Sequence, residues 1–204
     1  MSLIIRPAQK DDAAIAACLL AETNGDFGIQ VIGLGNPDLE LKALQYWFAD
    51  RKNRFSYEHT LIAEKYGIAC GLLLAFRGTD LPALELGCSK KLFSIYSLSE
   101  AFRMVWANKF LVNTKEAERD EYLIAHLAVD STFRRQGIAK ALINRAAEDA
   151  LACHLHKLVL EVEVVNANAV ALYRKAGFSV TKTLYYRTNG SFKSPAYYKM
   201  AKEP

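Results

Sequence analysis

The stretch EYLIAHLAVDSTFRRQGIAKALINRAAEDALAC, residues 121–153, decides the fold. Its first ten residues are mostly apolar and predict a strand over 121–130. Residues 135–153 carry apolar positions at helical spacing and predict a helix. Arg134, Arg135, Gln136, Gly137, Ile138, Ala139 and Lys140 fall at the junction. The first N–H groups of a helix lack backbone acceptors and carry partial positive charge, so such a junction is a ready phosphate site. Gly137 lets an anion approach the backbone, Ala139 keeps the next turn slim, and the arginines add charge-assisted hydrogen bonds. The plainer alternative is a tight turn with a solvated basic tip. It is not a P-loop, because the second glycine and the Lys-Ser/Thr pair are missing.

Toward the N-terminus, residues 3–6 predict a strand and residues 11–22 a helix opened by Asp11 and Asp12. Residues 23–37 are glycine-rich and predict a loop. Its VIGLGNP lacks the third glycine of a dinucleotide motif. A second helix follows Pro37 through LELKALQYWFADR, and residues 59–64 and 68–76 predict a hairpin. Residues 81–118 break this rhythm and read as an inserted helical arm, with SLSEAFRMVWANKFLV helical behind a Ser97 or Ser99 cap. Its Phe93, Tyr96, Phe102, Met104, Trp106 and Phe110 could line an acceptor pocket, form a dimer contact or pack on the sheet, and packing is the first expectation. Toward the C-terminus come a strand over 157–165, a short helix over 168–178 stopped by Gly177, and two strands, SVTKTLYYR and AYYKMA. The order is β-α-α-β-β-(arm)-β-α-β-α-β-β. A hairpin beside a β-α-β unit requires a mixed sheet.

At 204 residues the chain can bury a sizeable core in one domain. Its 51% apolar and 24% charged content describe a globular chain. A net charge of +4 carries no general nucleic-acid signal, but it suits a local anionic ligand. Cys18, Cys70, Cys88 and Cys153 form no C-x-x-C pair, and His154 and His156 have no carboxylate beside them, so no metal is expected. MSLIIRPAQKDD is too short and too polar for a signal peptide, and no apolar run reaches the roughly 18 residues of a membrane span. A cytoplasmic protein with no membrane partner is the expectation.

Arg134, Gly137 and Ala139, after a strand ending in LAVD, form R-x-x-G-x-A. This resembles the acyl-CoA-binding motif of the GNAT superfamily of acetyltransferases, Q/R-x-x-G-x-G/A. EVEVVNANAVALYRKAGF, residues 161–178, resembles that family's strand, asparagine, helix and LYxKxGF segment, through Asn166, Ala169, Leu172, Tyr173, Lys175, Gly177 and Phe178. Two motifs in order and at family spacing are more specific than either alone. The resemblance implies an α/β fold of α+β type: one domain over 1–204, with a mixed, mostly antiparallel sheet of about seven strands splayed at the acyl-CoA site, flanked by helices and carrying the insertion at 81–118. It also implies acetyl-CoA as acyl donor, and direct transfer to a primary amine of a small molecule or a protein N-terminus.

Residue by residue, the resemblance implies that the N–H groups of Arg135 through Lys140 hold the pyrophosphate, with Arg134 beside them. Leu127, Ala128 and Val129 would pair with the pantetheine arm, and the Leu127 N–H would polarise the thioester carbonyl. Asn166 would bond pantetheine, with Asn168 as the expected helix cap, and Lys175 completes the cofactor set. Tyr173 would donate a proton to the leaving thiolate, or else simply pack under its helix. Glu161, twelve positions before Tyr173, would take the amine's proton directly or through a water, and Glu163 shares its strand face. Glu121 and His126 on the preceding strand are the other candidate bases. A regular strand puts them on opposite faces, and a bulge would reverse that. The rival reading is a non-catalytic acyl-CoA sensor or scaffold. No direct nucleic-acid binding is expected. The acceptor stays open among protein N-termini, polyamines, amino acids and antibiotics, and a homodimer is the commonest closed assembly.

Overall fold

The computed structural model describes residues 3–108, 115–185 and 195–204. Among these, seven strands form one sheet: β1 (Ile4–Pro7), β2 (Thr60–Lys65), β3 (Ile68–Arg77), β4 (Tyr122–Val129), β5 (Leu158–Glu163), β6 (Ser179–Tyr185) and β7 (Ala196–Lys202). Their order is β1-β2-β3-β4-β5-β7-β6. Every neighbouring pair is antiparallel except β4 and β5, which are joined by the crossover helix α6 (Ile138–Ala152). The mixed, mostly antiparallel sheet expected from the sequence is the one observed.

Two apolar layers cover the sheet. On one face α1 (Ala13–Val31) and α2 (Pro37–Ala49) bury Leu19, Leu20, Leu44, Trp47 and Phe48 against Ile62, Leu72, Leu74, Leu123 and Val159. On the other, α6 and α7 (Ala167–Lys175) bury Ile138, Leu142, Ile143 and Tyr173 against Leu73, Ile124, Leu158, Leu160 and Val162. Alternation along each strand assigns its side chains to the two faces. Helix α2 starts where the sequence places it: Asn36 Oδ1 accepts from the Asp38 N–H at 2.9 Å, and Pro37 needs no partner at the first position.

Helix α1 extends to Val31, into the expected loop over 23–37, of which only 32–36 form the turn before α2. Gly25, at φ 54° and ψ −147°, makes a break that the helix survives. Gly28 serves close packing: a Cβ there would lie 2.1 Å from Glu40 Oε1 of the buried carboxylate beneath. The arm comprises α3 (Leu81–Lys90), α4 (Leu92–Ile95) and α5 (Leu98–Asn108). Tyr96 is buried, and its hydroxyl donates to Ile32 O at 2.9 Å. Phe93, Phe102 and Trp106 are exposed, against expectation. Helix α5 turns Ala101 and Met104 inward at i, i+3 spacing, so Phe102 and Val105 must face away. Phe110 lies outside the described residues.

Strands β4 and β5 pair only from Tyr122↔Leu158 to Ile124↔Leu160 and then part. Their joined end is pinned by Glu121, whose side chain is 1% exposed. Glu121 accepts from Lys157 Nζ at 2.5 Å, from Lys199 Nζ of β7 at 2.8 Å and from the Glu118 N–H at 2.8 Å. Burial raises its carboxyl, but the Glu118 N–H and the two lysines win and hold it below the usual range. This removes Glu121 from the candidate bases, since a carboxylate committed to two ammoniums does not collect a substrate proton.

Glu121→Gln leaves the half-buried Lys199 without its counter-charge and should cost about 3 kcal/mol in urea denaturation at neutral pH. The unfolded carboxyl takes its proton first as pH falls through its ordinary value of 4.5, while the folded one stays ionised to lower pH. The gap between wild type and variant should therefore be full above that value and close below it. A gap independent of pH would show that the charge is not what stabilises this end of the sheet.

Candidate active site

At the junction singled out from the sequence, α6 starts at Ile138, three residues later than the periodicity suggests. Arg135 and Gly137 both have left-handed backbones, at φ 64° and 80°, and neither can continue a helix. The resulting turn presents successive N–H groups as a concave nest. Among the described residues, the N–H groups of Arg135, Gln136, Gly137, Ile138, Ala139 and Lys140 donate to no protein acceptor. A Cβ on Gly137 would meet nothing within 4 Å, so the space above the nest is open. Donors left unsatisfied in such a row suit a diphosphate. Gln136 Oε1 accepts from Lys65 Nζ of the β2–β3 turn at 2.6 Å, which adds a cation beside the nest. Arg134 folds the other way: its Nε donates to Val129 O at 3.0 Å, and its guanidinium pairs with Glu22 of α1.

The nest stands at the open end of the β4–β5 gap. The N–H of Asp130 donates to Cys70 O of β3 at 2.9 Å. Backbone groups along a strand alternate in direction, so Ala128 also addresses β3 while the N–H of Leu127 faces the gap. The free edge thus offers Leu127 and Val129, although Val129 O is already taken by Arg134. An extended ligand bearing amides would complete this edge.

Tyr173 of α7 approaches from the α6 side. Its ring is buried edge-on to Phe178, with centroids 5.8 Å apart. Its hydroxyl makes no hydrogen bond to the described residues, yet it is not among the polar atoms sealed from solvent. Burial pushes the phenol up to about 12, so it is protonated and able to donate. Asn166, not Asn168, caps α7: its Oδ1 accepts from the Ala169 N–H at 3.1 Å, and its amide hydrogens are left for a ligand. Lys175 is exposed on the last turn of α7.

His126 and Glu161 approach from the opposite layer. The register of β4 on β3 jumps from Leu74↔His126 to Ala75↔Ile124, so Ala125 is an extra residue. This bulge puts His126 on the same face as Leu123, where its ring lies 5.7 Å from that of Phe55. His126 is half-buried. Burial, with the Arg54 guanidinium adding to it and Glu116 opposing, pushes the imidazole down to about 3. Arg54 and Glu116 form a two-point ion pair, with both contacts at 2.8 Å. Glu161 is half-buried on β5 opposite Lys199, on the face of Val159. Glu163 shares that face and accepts from Tyr197 Oη at 3.4 Å. Phe27 of α1 packs edge-on to Tyr197 at 6.3 Å.

The fold therefore brings together the nest, the free edge of β4, Tyr173 from one layer, and His126 and Glu161 from the other. The sequence did not point to Thr23, Arg54, Glu116, Tyr197 or Lys199. They lie on α1, on β7 and on two connecting segments with no motif around them, and only the topology gathers them. Residues 38–178 match the family model described as Acetyltransferase (GNAT) family. Over 68 residues the chain is 41% identical to N-alpha-acetyltransferase 30 of Xenopus laevis, covering 33% of this chain and 25% of that protein. Over 74 residues it is 34% identical to the ribosomal protein bS18-alanine N-acetyltransferase of Escherichia coli K12, covering 35% of this chain and 50% of that protein. The chain thus spans between a quarter and a half of the length of these two relatives. An N-acetyltransferase structure from Staphylococcus aureus Mu50 shares the fold, with a TM-score of 0.77 at 24% identity, over 98% of this chain and 100% of that one. With more than half of its length inside the family model, the chain belongs to the GNAT family of acetyltransferases.

Proposed function

We propose that the protein transfers an acetyl group from acetyl-CoA directly to the α-amine of a protein N-terminus. The observation that carries this reading is the row of six undonated N–H groups, Arg135 through Lys140, at the mouth of the gap where β4 and β5 part. Arg134, Gln136 and Lys65 border it. The diphosphate would sit on that row and the pantetheine would extend along Leu127, Ala128 and Val129, helped by the Asn166 amide. Acetyl-CoA supplies the thioester. The Leu127 N–H donates to its carbonyl oxygen as negative charge develops there. The gap lies between two layers, so Tyr173 reaches the sulfur from one side while Glu161 or His126 takes the amine's proton on the other.

The weakness of His126 as a base supports this acceptor class. An imidazole pushed down to about 3 cannot deprotonate a lysine ammonium. An α-amine, with an ordinary pKa of about 7.7–8.0 against about 10.4 for lysine, is partly neutral at neutral pH and needs a base only after it has attacked. The names of the two curated relatives, both enzymes of polypeptide α-amines, support the same choice.

The reading is tested by calorimetric titration of acetyl-CoA. Wild type should bind, and Gly137→Glu, which sets a carboxylate against the diphosphate, should not. Gly137→Ala shares the left-handed backbone strain of about 1 kcal/mol without the charge and should bind nearly as well as wild type. A folded wild type that binds no acetyl-CoA would reduce the nest to a turn. Binding without transfer to any N-terminal peptide would leave the sensor reading.

Tyr173→Phe should lower kcat about 10- to 100-fold while the Kd for acetyl-CoA moves less than about twofold. Unchanged kcat would remove Tyr173 from the chemistry and leave it as packing.

A further inference from the structure

On the acceptor side of the gap, one contact selects which nitrogen of His126 is free. Thr23 Oγ1 of α1 lies 2.8 Å from His126 Nδ1. The same hydroxyl donates to Leu20 O at 2.7 Å. A hydroxyl has one hydrogen. With that hydrogen on the Leu20 carbonyl, Oγ1 faces the imidazole with a lone pair, so Nδ1 must carry the ring hydrogen. The lone pair is then on Nε2. Nε2 of His126 makes no hydrogen bond to the described residues and is not sealed from solvent, unlike Nε2 of His59, which is buried without a partner. Contact with the buried Phe55 ring, 33° from parallel, holds the imidazole plane. The charged groups that act on it are Arg54, from the segment after α2, and Glu116, from the segment before β4, and these neutralise one another.

We infer that Thr23 is a positioning residue: it holds His126 in the Nδ1–H tautomer and so makes Nε2 the atom that accepts the amine's proton. The inference rests on the acetyl-transfer reading and decides between its two candidate bases. As the amine nitrogen bonds to the thioester carbon, the carbon–sulfur bond breaks. One amine proton goes to His126 Nε2, and Tyr173 Oη gives one to sulfur. Water then carries a proton away from Nε2 and restores the phenol, so atoms and charge balance and nothing is oxidised. The bulge at Ala125 is what makes the contact possible, since a regular strand would turn His126 to the α6 side, away from Thr23.

Thr23 is exposed on α1, and Thr23→Val keeps its shape, so the variant should fold. The tautomer of His126 is read from the nitrogen-15 couplings of histidine-labelled protein, assigned with His126→Gln. Wild type and Thr23→Ser should show Nδ1–H. Thr23→Val should relax toward Nε2–H, the form that neutral histidine prefers when free, with kcat at least about tenfold lower and KM for acetyl-CoA within about twofold. A merely structural threonine would change stability and leave the tautomer alone. Nε2–H in the wild type, or an unchanged tautomer and kcat in Thr23→Val, overturns the inference while acetyl-CoA titration still shows the cofactor site intact. A wild type that binds no acetyl-CoA overturns it by removing the reaction itself, even with Nδ1–H observed.

Discussion

The β4–β5 ladder is three residue pairs long, and the site exists because it stops there. Two parallel strands in the middle of a sheet would ordinarily satisfy each other to their ends, since an unpaired buried backbone group costs free energy comparable to a lost hydrogen bond. Here the joined end is held by a buried carboxylate between two lysines from β7 and the start of β5. The open end is left for a ligand with its own amides. Glu121 thus ties β7 and the residue before β5 to the start of β4, at the paired end of the ladder. Its ionisation keeps one end shut, and the length of α6 carries the chain across to β5.

The gap separates two layers with different tasks. On the α6 side stand the nest and the buried phenol, both of them hydrogen-bond donors. On the α1 side stand the groups that can accept a proton. A ligand lying in the gap has donors on one flank and acceptors on the other, which is the arrangement an acyl transfer needs if one proton arrives at sulfur as another leaves nitrogen. The bulge at Ala125 belongs to this division. It inserts one residue into β4 and thereby assigns His126 to the acceptor layer while Leu127 keeps its N–H toward the gap.

What was legible in the sequence was what local chemistry encodes. The nest announces itself because two basic residues, a glycine and a small residue must be consecutive for a turn to present its N–H groups. The α7 segment announces itself through its asparagine cap and glycine stop. The loop expected over 23–37 held only for 32–36, because glycine has two uses. Gly25 permits a break, but Gly28 is there for Glu40, a partner on another helix that spacing cannot reveal. Asn168 looked like the cap because it stands before the apolar run, while the structure starts α7 at Ala167 with Asn166 as its cap. The bulge was raised as a bare option, since one extra residue in an apolar strand leaves no mark on composition. Arg54 and Glu116 were unreadable for a stronger reason: their meaning lies wholly in each other, 62 positions apart.

That pair gives the arm a place in the argument. The arm could have been an appendage, and its outward Phe93, Phe102 and Trp106 fit that view. Yet the segment returning from it to β4 carries Glu116, and Glu116 neutralises the one guanidinium whose charge acts on His126. An uncompensated Arg54 beside the imidazole would oppose its protonation at every stage of turnover. With Glu116 in place that opposition is offset, and burial is left as the main influence holding the imidazole down. The insertion therefore acts on His126 through electrostatics, by bringing the Glu116 carboxylate to Arg54.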